Sequence, residues 1–185
     1  MRDDVLSETV SAVESLAVGD PADGEEIEMG PVNSQDQQER VLGFLERAVD
    51  AKATIVTGGG TLGERGFFVK PTVVADVAQN SEIVQREVFG PVVSMQRVTS
   101  DDDAIAMAND VPYGLAASVF SENLGRALKV AARLDFGTVW INEHLFPLAS
   151  EMPHGGFKES GYGKDMSLYS MEEYTRVKHI AVKLA

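Results

Sequence analysis

The sequence predicts an α/β domain built on a mostly parallel sheet with flanking helices. Three observations lead there. Segments with apolar residues at helical spacing alternate with short β-branched runs, in the order helix–strand–helix–strand–helix–strand. The joints between them are short and marked by Gly, Pro and capping residues. Across 185 residues, 44% hydrophobic and 24% charged content is enough apolar material for the core of one domain, or most of one.

The elements follow in order. Leu6, Val10, Val13 and Ala17 recur at helical spacing, which predicts an amphipathic helix over residues 3–16. Gly19-Asp20-Pro21 ends it and opens an acidic loop that Gly30-Pro31 closes. Ser34 with Gln37 three residues on is a capping-box pattern, and the helix it starts carries Val41, Leu45, Ala48 and Val49 on one face. Residues 54–57, 67–69 and 72–74 read as strand pieces, with Pro71 between the last two. A short helix covers 81–86 and a strand 92–98. Ser100 with Asp103 is a second capping box, and Asp101 to Asp103 sit in the first turn, where the helix dipole favours acids.

The second half continues the alternation. Pro112-Tyr113-Gly114 turns the chain, and Leu115 to Phe120 suits a buried strand. Ser121 is placed to cap a helix with Leu124, Leu128, Ala131 and Leu134 inward, and Gly137 to end it. Residues 138–141 read as a strand, 142–163 as a long loop of the kind that is usually functional or disordered, and 167–174 as a helix. Val177, Ile180 and Val182 form a strand-like tail with no following helix, which suggests pairing across a subunit interface. The expected organisation is a body over 1–173 and an interface strand over 174–185.

Bulk chemistry narrows the function. A net charge of -13 argues against a nucleic-acid surface, which needs clustered Lys and Arg. The sequence has no Cys, so this chain carries no disulfide, no thiolate metal site and no thiol nucleophile. Three scattered His lack metal-ligand spacing, and no G-x-S-x-G elbow appears. No apolar run approaches the roughly 20 residues of a membrane span, and the N-terminus lacks a signal-peptide core. A cytoplasmic protein is the expectation.

Residues 84–93 are the most informative stretch. In an extended segment residues two apart point the same way, so Glu87 and Phe89 would share one space, a carboxylate beside a ring, ahead of the rigid corner Gly90-Pro91. A carboxylate can grip a sugar's paired hydroxyls and a ring can wall a flat heterocycle. The plain alternative is the start of a strand with a solvated acid and a core Phe. Residues 58–63 fit the letters G-x-G-x-x-G, but Glu64-Arg65-Gly66-Phe67-Phe68-Val69 is not a helix start, so the dinucleotide fingerprint is rejected.

Gly66-Phe67-Phe68-Val69-Lys70-Pro71-Thr72, Glu87-Val88-Phe89-Gly90-Pro91, the run from Tyr113 to Phe120, the run from Gly137 to Asn142, and the run from Gly155 to Gly163 occur in that order. With Gly19-Asp20-Pro21 and Gly30-Pro31, the series resembles the C-terminal part of the NAD(P)-dependent aldehyde dehydrogenase catalytic domain, essentially from end to end. The resemblance implies that fold in truncated form, with a C-terminal oligomerisation strand. It implies that Glu87 holds the ribose of the nicotinamide and that Phe89 packs near the nicotinamide. It implies a substrate-tunnel wall in the loop after Asn142, with Phe146, Glu151 and His154 as lining residues. Lys158 and Gly161 resemble positions near a monovalent-cation site.

The wording from Ser150 to Gly156 is most similar to the 4-aminobutyraldehyde branch. There Glu151 either attracts a substrate ammonium or is a solvated loop acid, and His154 either lines the pocket or is structural. His144 and His179 have no evident partner.

The family's chemistry needs a Cys thiolate, a Glu base and an oxyanion-stabilising Asn, and the resemblance places all three upstream of this sequence. No catalytic residue is therefore assigned here. The expectation is a fragment, natural or from a split gene, of an enzyme that oxidises a small aldehyde with NAD or NADP. By itself it is expected to be inactive and to bind the cofactor weakly or not at all. It is expected to form a homo-oligomer through its last strand, with no nucleic-acid or membrane partner. The rivals are a non-catalytic interaction module that pairs with a full-length homologue, and an unrelated acidic α/β binding protein.

Overall fold

The computed structural model describes residues 2–144 and 149–184. The chain divides into two compact units, Met1–Val98 and Thr99–Ala185. The first holds helices α1 (Arg2–Ser15), α2 (Gln35–Asp50) and α3 (Glu82–Gln85) with strands β1 (Thr54–Thr57), β2 (Thr72–Ala75) and β3 (Val92–Met95). The second holds α4 (Asp101–Asn109), β4 (Tyr113–Gly114), β5 (Ala116–Val119), α5 (Leu124–Ala131), β6 (Thr138–Ile141), β7 (Phe157–Lys158) and α6 (Ser167–Glu173).

In the first unit β2 is central. It pairs antiparallel with β1 and parallel with β3. All four of its residues are buried, as a strand covered on both faces requires. Ser34 caps α2 by accepting from the Gln37 amide, as the capping box predicts. Val41, Phe44, Leu45 and Ala48 then follow at i, i+3, i+4 and i+7 and are the buried stripe. Val41, Leu45 and Ala48 join Val69, Val74 and Ile83 in one core. Burying each such aliphatic side chain contributes roughly 1.5–3 kcal/mol before the entropy of ordering it. The expected face was one residue out: Val49 is half exposed, and Phe44 takes its place under the guanidiniums of Arg40 and Arg47, each 5.0 Å from the ring centroid.

The mostly parallel sheet is not found. Among the described residues there are three small sheets, and of four strand pairings two are parallel and two antiparallel. The reason lies in the connections. β2 reaches β3 through α3, and β5 reaches β6 through α5, which allows parallel pairing. β1 reaches β2 through a loop with no helix, and the chain can only double back.

In the second unit α4 begins as predicted, with the Ser100 hydroxyl accepting from the Asp103 amide. Helix α5 departs from expectation. Its cap is Asn123, whose side chain accepts from the Arg126 amide, while Ser121 Oγ accepts from the Asn123 amide one step earlier. Ala127 is the buried residue of this helix, and Leu124 and Leu128 are 60% and 54% exposed. The helix ends at Ala131, not at Gly137. Gly137 serves a different purpose: a Cβ there would stand 1.6 Å from the Gly155 carbonyl oxygen, so only glycine lets these two loops touch. β5 is half-buried rather than buried. Where a strand is expected over residues 174–185, the described residues 174–184 are not in one, and Val177, Ile180, Val182 and Leu184 are exposed. Among the described residues no helix is long and apolar enough to cross a membrane.

Candidate functional site

Residues 87–89 are not an extended strand segment. They form a loop between α3 and β3, and Phe89 has φ +54°. That left-handed conformation is uncommon for a bulky residue and costs about 1–3 kcal/mol. It also breaks the alternation from which a shared facing of Glu87 and Phe89 was inferred. Both side chains are nevertheless exposed, Phe89 at 71%. Phe89 is not part of the core of this chain.

The loop is held from α2. Arg40 donates from Nη2 to the Glu87 carbonyl at 2.7 Å and from Nη1 to the Val88 carbonyl at 2.5 Å. Gln37 Nε2 donates to the Phe89 carbonyl at 2.6 Å and to the Val88 carbonyl at 3.3 Å. Gly90 lies against Val41 of the same helix, where an added Cβ would be 2.5 Å from Val41 Cγ2. Three consecutive carbonyls are thus occupied while the side chains stay free to meet solvent or a ligand. Phe89, Gln37 and Arg40 line a hollow of about 450 Å³ with Val32 and Asn33. An exposed carboxylate and an exposed ring on a tethered loop fit a nucleoside: the carboxylate can accept from sugar hydroxyls, and the ring offers a flat wall.

Residues 58–63 carry no dinucleotide fingerprint, because a loop and not a helix follows β1. Gly58 instead packs beside Thr72, whose Oγ1 accepts from the Gly59 amide at 2.9 Å and donates to the Lys70 carbonyl at 2.7 Å.

The second unit gathers a glycine-rich loop. His154 is half-buried. Its backbone pairs both ways with Asp165, and its Nδ1 lies 3.4 Å from Thr138 Oγ1. With Ser160, Tyr162 and Lys164 it lines a polar hollow of about 360 Å³. Glu151 is exposed on a turn and is not part of that hollow. Phe146 lies outside the described residues. Lys158 donates from Nζ to the Asn109 carbonyl at the end of α4 (3.0 Å) and stands 5.2 Å above the Phe136 ring. The Lys158 carbonyl accepts from the Gly161 amide at 3.4 Å. His144, which shows no partner in the sequence, is 2.6 Å from Ser118 Oγ through Nδ1 and meets the Trp140 ring edge-on at 5.1 Å.

The residues missed by sequence reasoning are Gln37 and Arg40. Their i, i+3 spacing marks one polar stripe of α2, but nothing local indicates a loop about 50 residues away as its partner.

Comparison with known proteins completes the description. The sequence pattern described as "Aldehyde dehydrogenase family" matches residues 1–180. Rat "Aldehyde dehydrogenase, cytosolic 1" is 38% identical over 183 residues, covering 99% of this chain and 36% of its own length. The NAD+ complex of an aldehyde dehydrogenase from Bacillus cereus superposes with a TM-score of 0.94 at 39% identity, over 99% of this chain and 37% of that one. A betaine aldehyde dehydrogenase point mutant from Staphylococcus aureus, solved with NAD+, superposes with a TM-score of 0.91 at 36% identity, over 96% and 37%. The chain thus spans little more than a third of the length of these relatives.

Proposed function

This chain belongs to the aldehyde dehydrogenase family, and on that premise we propose that it is the C-terminal part of an enzyme oxidising an aldehyde to its acid with NAD or NADP. The observation that carries the reading is the loop at Glu87 and Phe89. It is tethered through three carbonyls and presents a carboxylate and a ring outward. Glu87 would hold the ribose next to the nicotinamide, and Phe89 would wall the nicotinamide. When bound, the nicotinamide supplies the hydride acceptor. This chain's residues orient it and contribute no nucleophile, since the sequence has no Cys.

The finer parts of the proposal follow from the sequence. The favoured substrate is 4-aminobutyraldehyde or a related aminoaldehyde, with Phe146, Glu151 and His154 along the tunnel and the Glu151 carboxylate attracting the ammonium. Lys158 and Gly161 would stand near a monovalent cation. Residues 1–173 form the body, and 174–185 pair as a strand with another subunit, which would cover the exposed Val177, Ile180 and Val182. The setting is cytoplasmic, as the rat relative's name states for that protein.

The test is direct. The purified 185-residue chain, given 4-aminobutyraldehyde and NAD+, is expected to form no NADH, and clear turnover would sink the assignment of the nucleophile elsewhere. A longer enzyme containing this sequence is expected to prefer aminoaldehydes; a preference for betaine aldehyde would overturn the substrate assignment. Light scattering on the eluted chain is expected to show self-association, and a clean monomer counts against the interface strand.

A further inference from the structure

We propose that Arg40 and Gln37 are positioning residues that set the shape of the Glu87–Phe89 loop and so determine whether it can receive a nucleotide. The proposal rests on reading that loop as cofactor-facing, but its first test does not.

The two side chains stand on one face of α2, in register because Ser34 fixes the first turn. Between them they donate to three consecutive carbonyls, those of Glu87, Val88 and Phe89. The guanidinium is itself seated, 5.0 Å above the buried Phe44 ring. A planar fork with two prongs on adjacent carbonyls fixes direction as well as distance. Such a clamp is needed here. Phe89 sits at φ +54° with 71% of its surface exposed, so its own packing does not hold it in that conformation. Residues kept in sparsely populated dihedrals persist only where their surroundings over-determine them. Gly90 closes the other side, pressed on Val41. Without the clamp the loop would relax toward ordinary dihedrals, and the ring and carboxylate would lose their fixed relation.

The experiment uses the full 185-residue chain, isotope-labelled, as wild type, R40A/Q37A and R40K. The HN–Hα coupling and the Cα and Cβ shifts of Phe89 report its conformation, and the Val73 and Val74 amides report the core. NAD+ at millimolar concentration is the probe, followed by shift changes at residues 87–89. In R40A/Q37A, Phe89 is expected to leave the left-handed values while Val73 and Val74 keep theirs. If the competent shape is then populated a tenth of the time, apparent affinity falls about tenfold. R40K keeps the charge but not the fork and should restore only part of both signals. An unchanged Phe89 in R40A/Q37A overturns the proposal. Should that variant lose the core signals, R40K decides: a Phe89 indistinguishable from wild type there also overturns it. Release of Phe89 in the variants with no NAD+ response in any chain supports the clamp and sinks the cofactor reading instead.

Discussion

Gly90→Ala tests how tightly the loop is fitted to its helix. The added methyl would meet Val41 Cγ2 at 2.5 Å and Cγ1 at 3.2 Å, where carbon atoms prefer about 3.5–4.0 Å. Val41 is fully buried in the core and has no free space to turn into. Backbone strain is not the issue, since Gly90 is outside the left-handed region. Overpacking of this kind costs about 1–3 kcal/mol. Val41→Ala alone removes two methyls and leaves a void, at roughly 2–3 kcal/mol. The double variant places the new methyl in the space the valine left, so its loss should fall short of additivity by about 1.5 kcal/mol. Urea unfolding followed by far-UV circular dichroism gives the stabilities, with hydrogen exchange at Val73 and Val74 to localise them. The single tryptophan, Trp140, lies in the second unit and serves as a control rather than a reporter. A Gly90→Ala chain within about 0.3 kcal/mol of wild type, or an additive double variant, would refute the reasoning.

Other substitutions probe the remaining joints. Gly137→Ala would drive a methyl into the Gly155 carbonyl, and because backbone yields less than a side chain the cost should reach about 3 kcal/mol or more; limited proteolysis should then cut readily within residues 149–163. Thr72→Val keeps the shape but removes the partner of the Gly59 amide and the Lys70 carbonyl, both in exposed residues, for a loss of about 0.5–1.5 kcal/mol by urea unfolding. Stability should also fall in acid. The hydrogen bond from Arg47 holds the Glu82 carboxyl below its usual range, and that from Arg126 does the same for Asp101. A depressed carboxyl stabilises the fold above its unfolded pKa and loses that contribution as pH drops through the folded value. The differences between wild type and Glu82→Gln or Asp101→Asn should therefore be constant from neutrality to about pH 5 and vanish at lower pH. One molar salt should shrink both.

What was legible in the sequence follows the range of the interactions involved. Capping is local, so Ser34 and Ser100 are placed correctly from a hydroxyl and an amide three residues apart. The core stripe of α2 is nearly right because period alone defines it. On α5 the cap lies two residues later than expected, at Asn123 rather than Ser121, and the buried position is Ala127 while Leu124 and Leu128 are exposed. The sheet fails because parallel pairing depends on which connections contain a helix, and the one between β1 and β2 does not. At the site, the motif indicates Glu87 and Phe89, but spacing misplaces Phe89 by assuming an extended chain where φ is +54°. Gln37 and Arg40 stay hidden because their partners are backbone carbonyls, which carry no sequence signature.

The two units differ in what they can hold rigid. Of the buried hydrophobic residues among those described, all but Ile105 and Ala127 belong to the first unit. There the Glu87–Phe89 loop rests on a helix that is itself part of the core, so a strained dihedral can persist because α2 is costly to move. In the second unit the glycine-rich loop stands on close backbone contacts, such as Gly137 against Gly155, and on the paired backbone hydrogen bonds between His154 and Asp165, with little apolar burial among the described residues. Local opening costs least where few buried contacts are lost. The part of the chemistry this chain can keep in shape by itself is therefore the proposed cofactor-facing loop. Of the residues proposed for substrate and cation, Glu151, His154, Lys158 and Gly161 stand on the less buried unit.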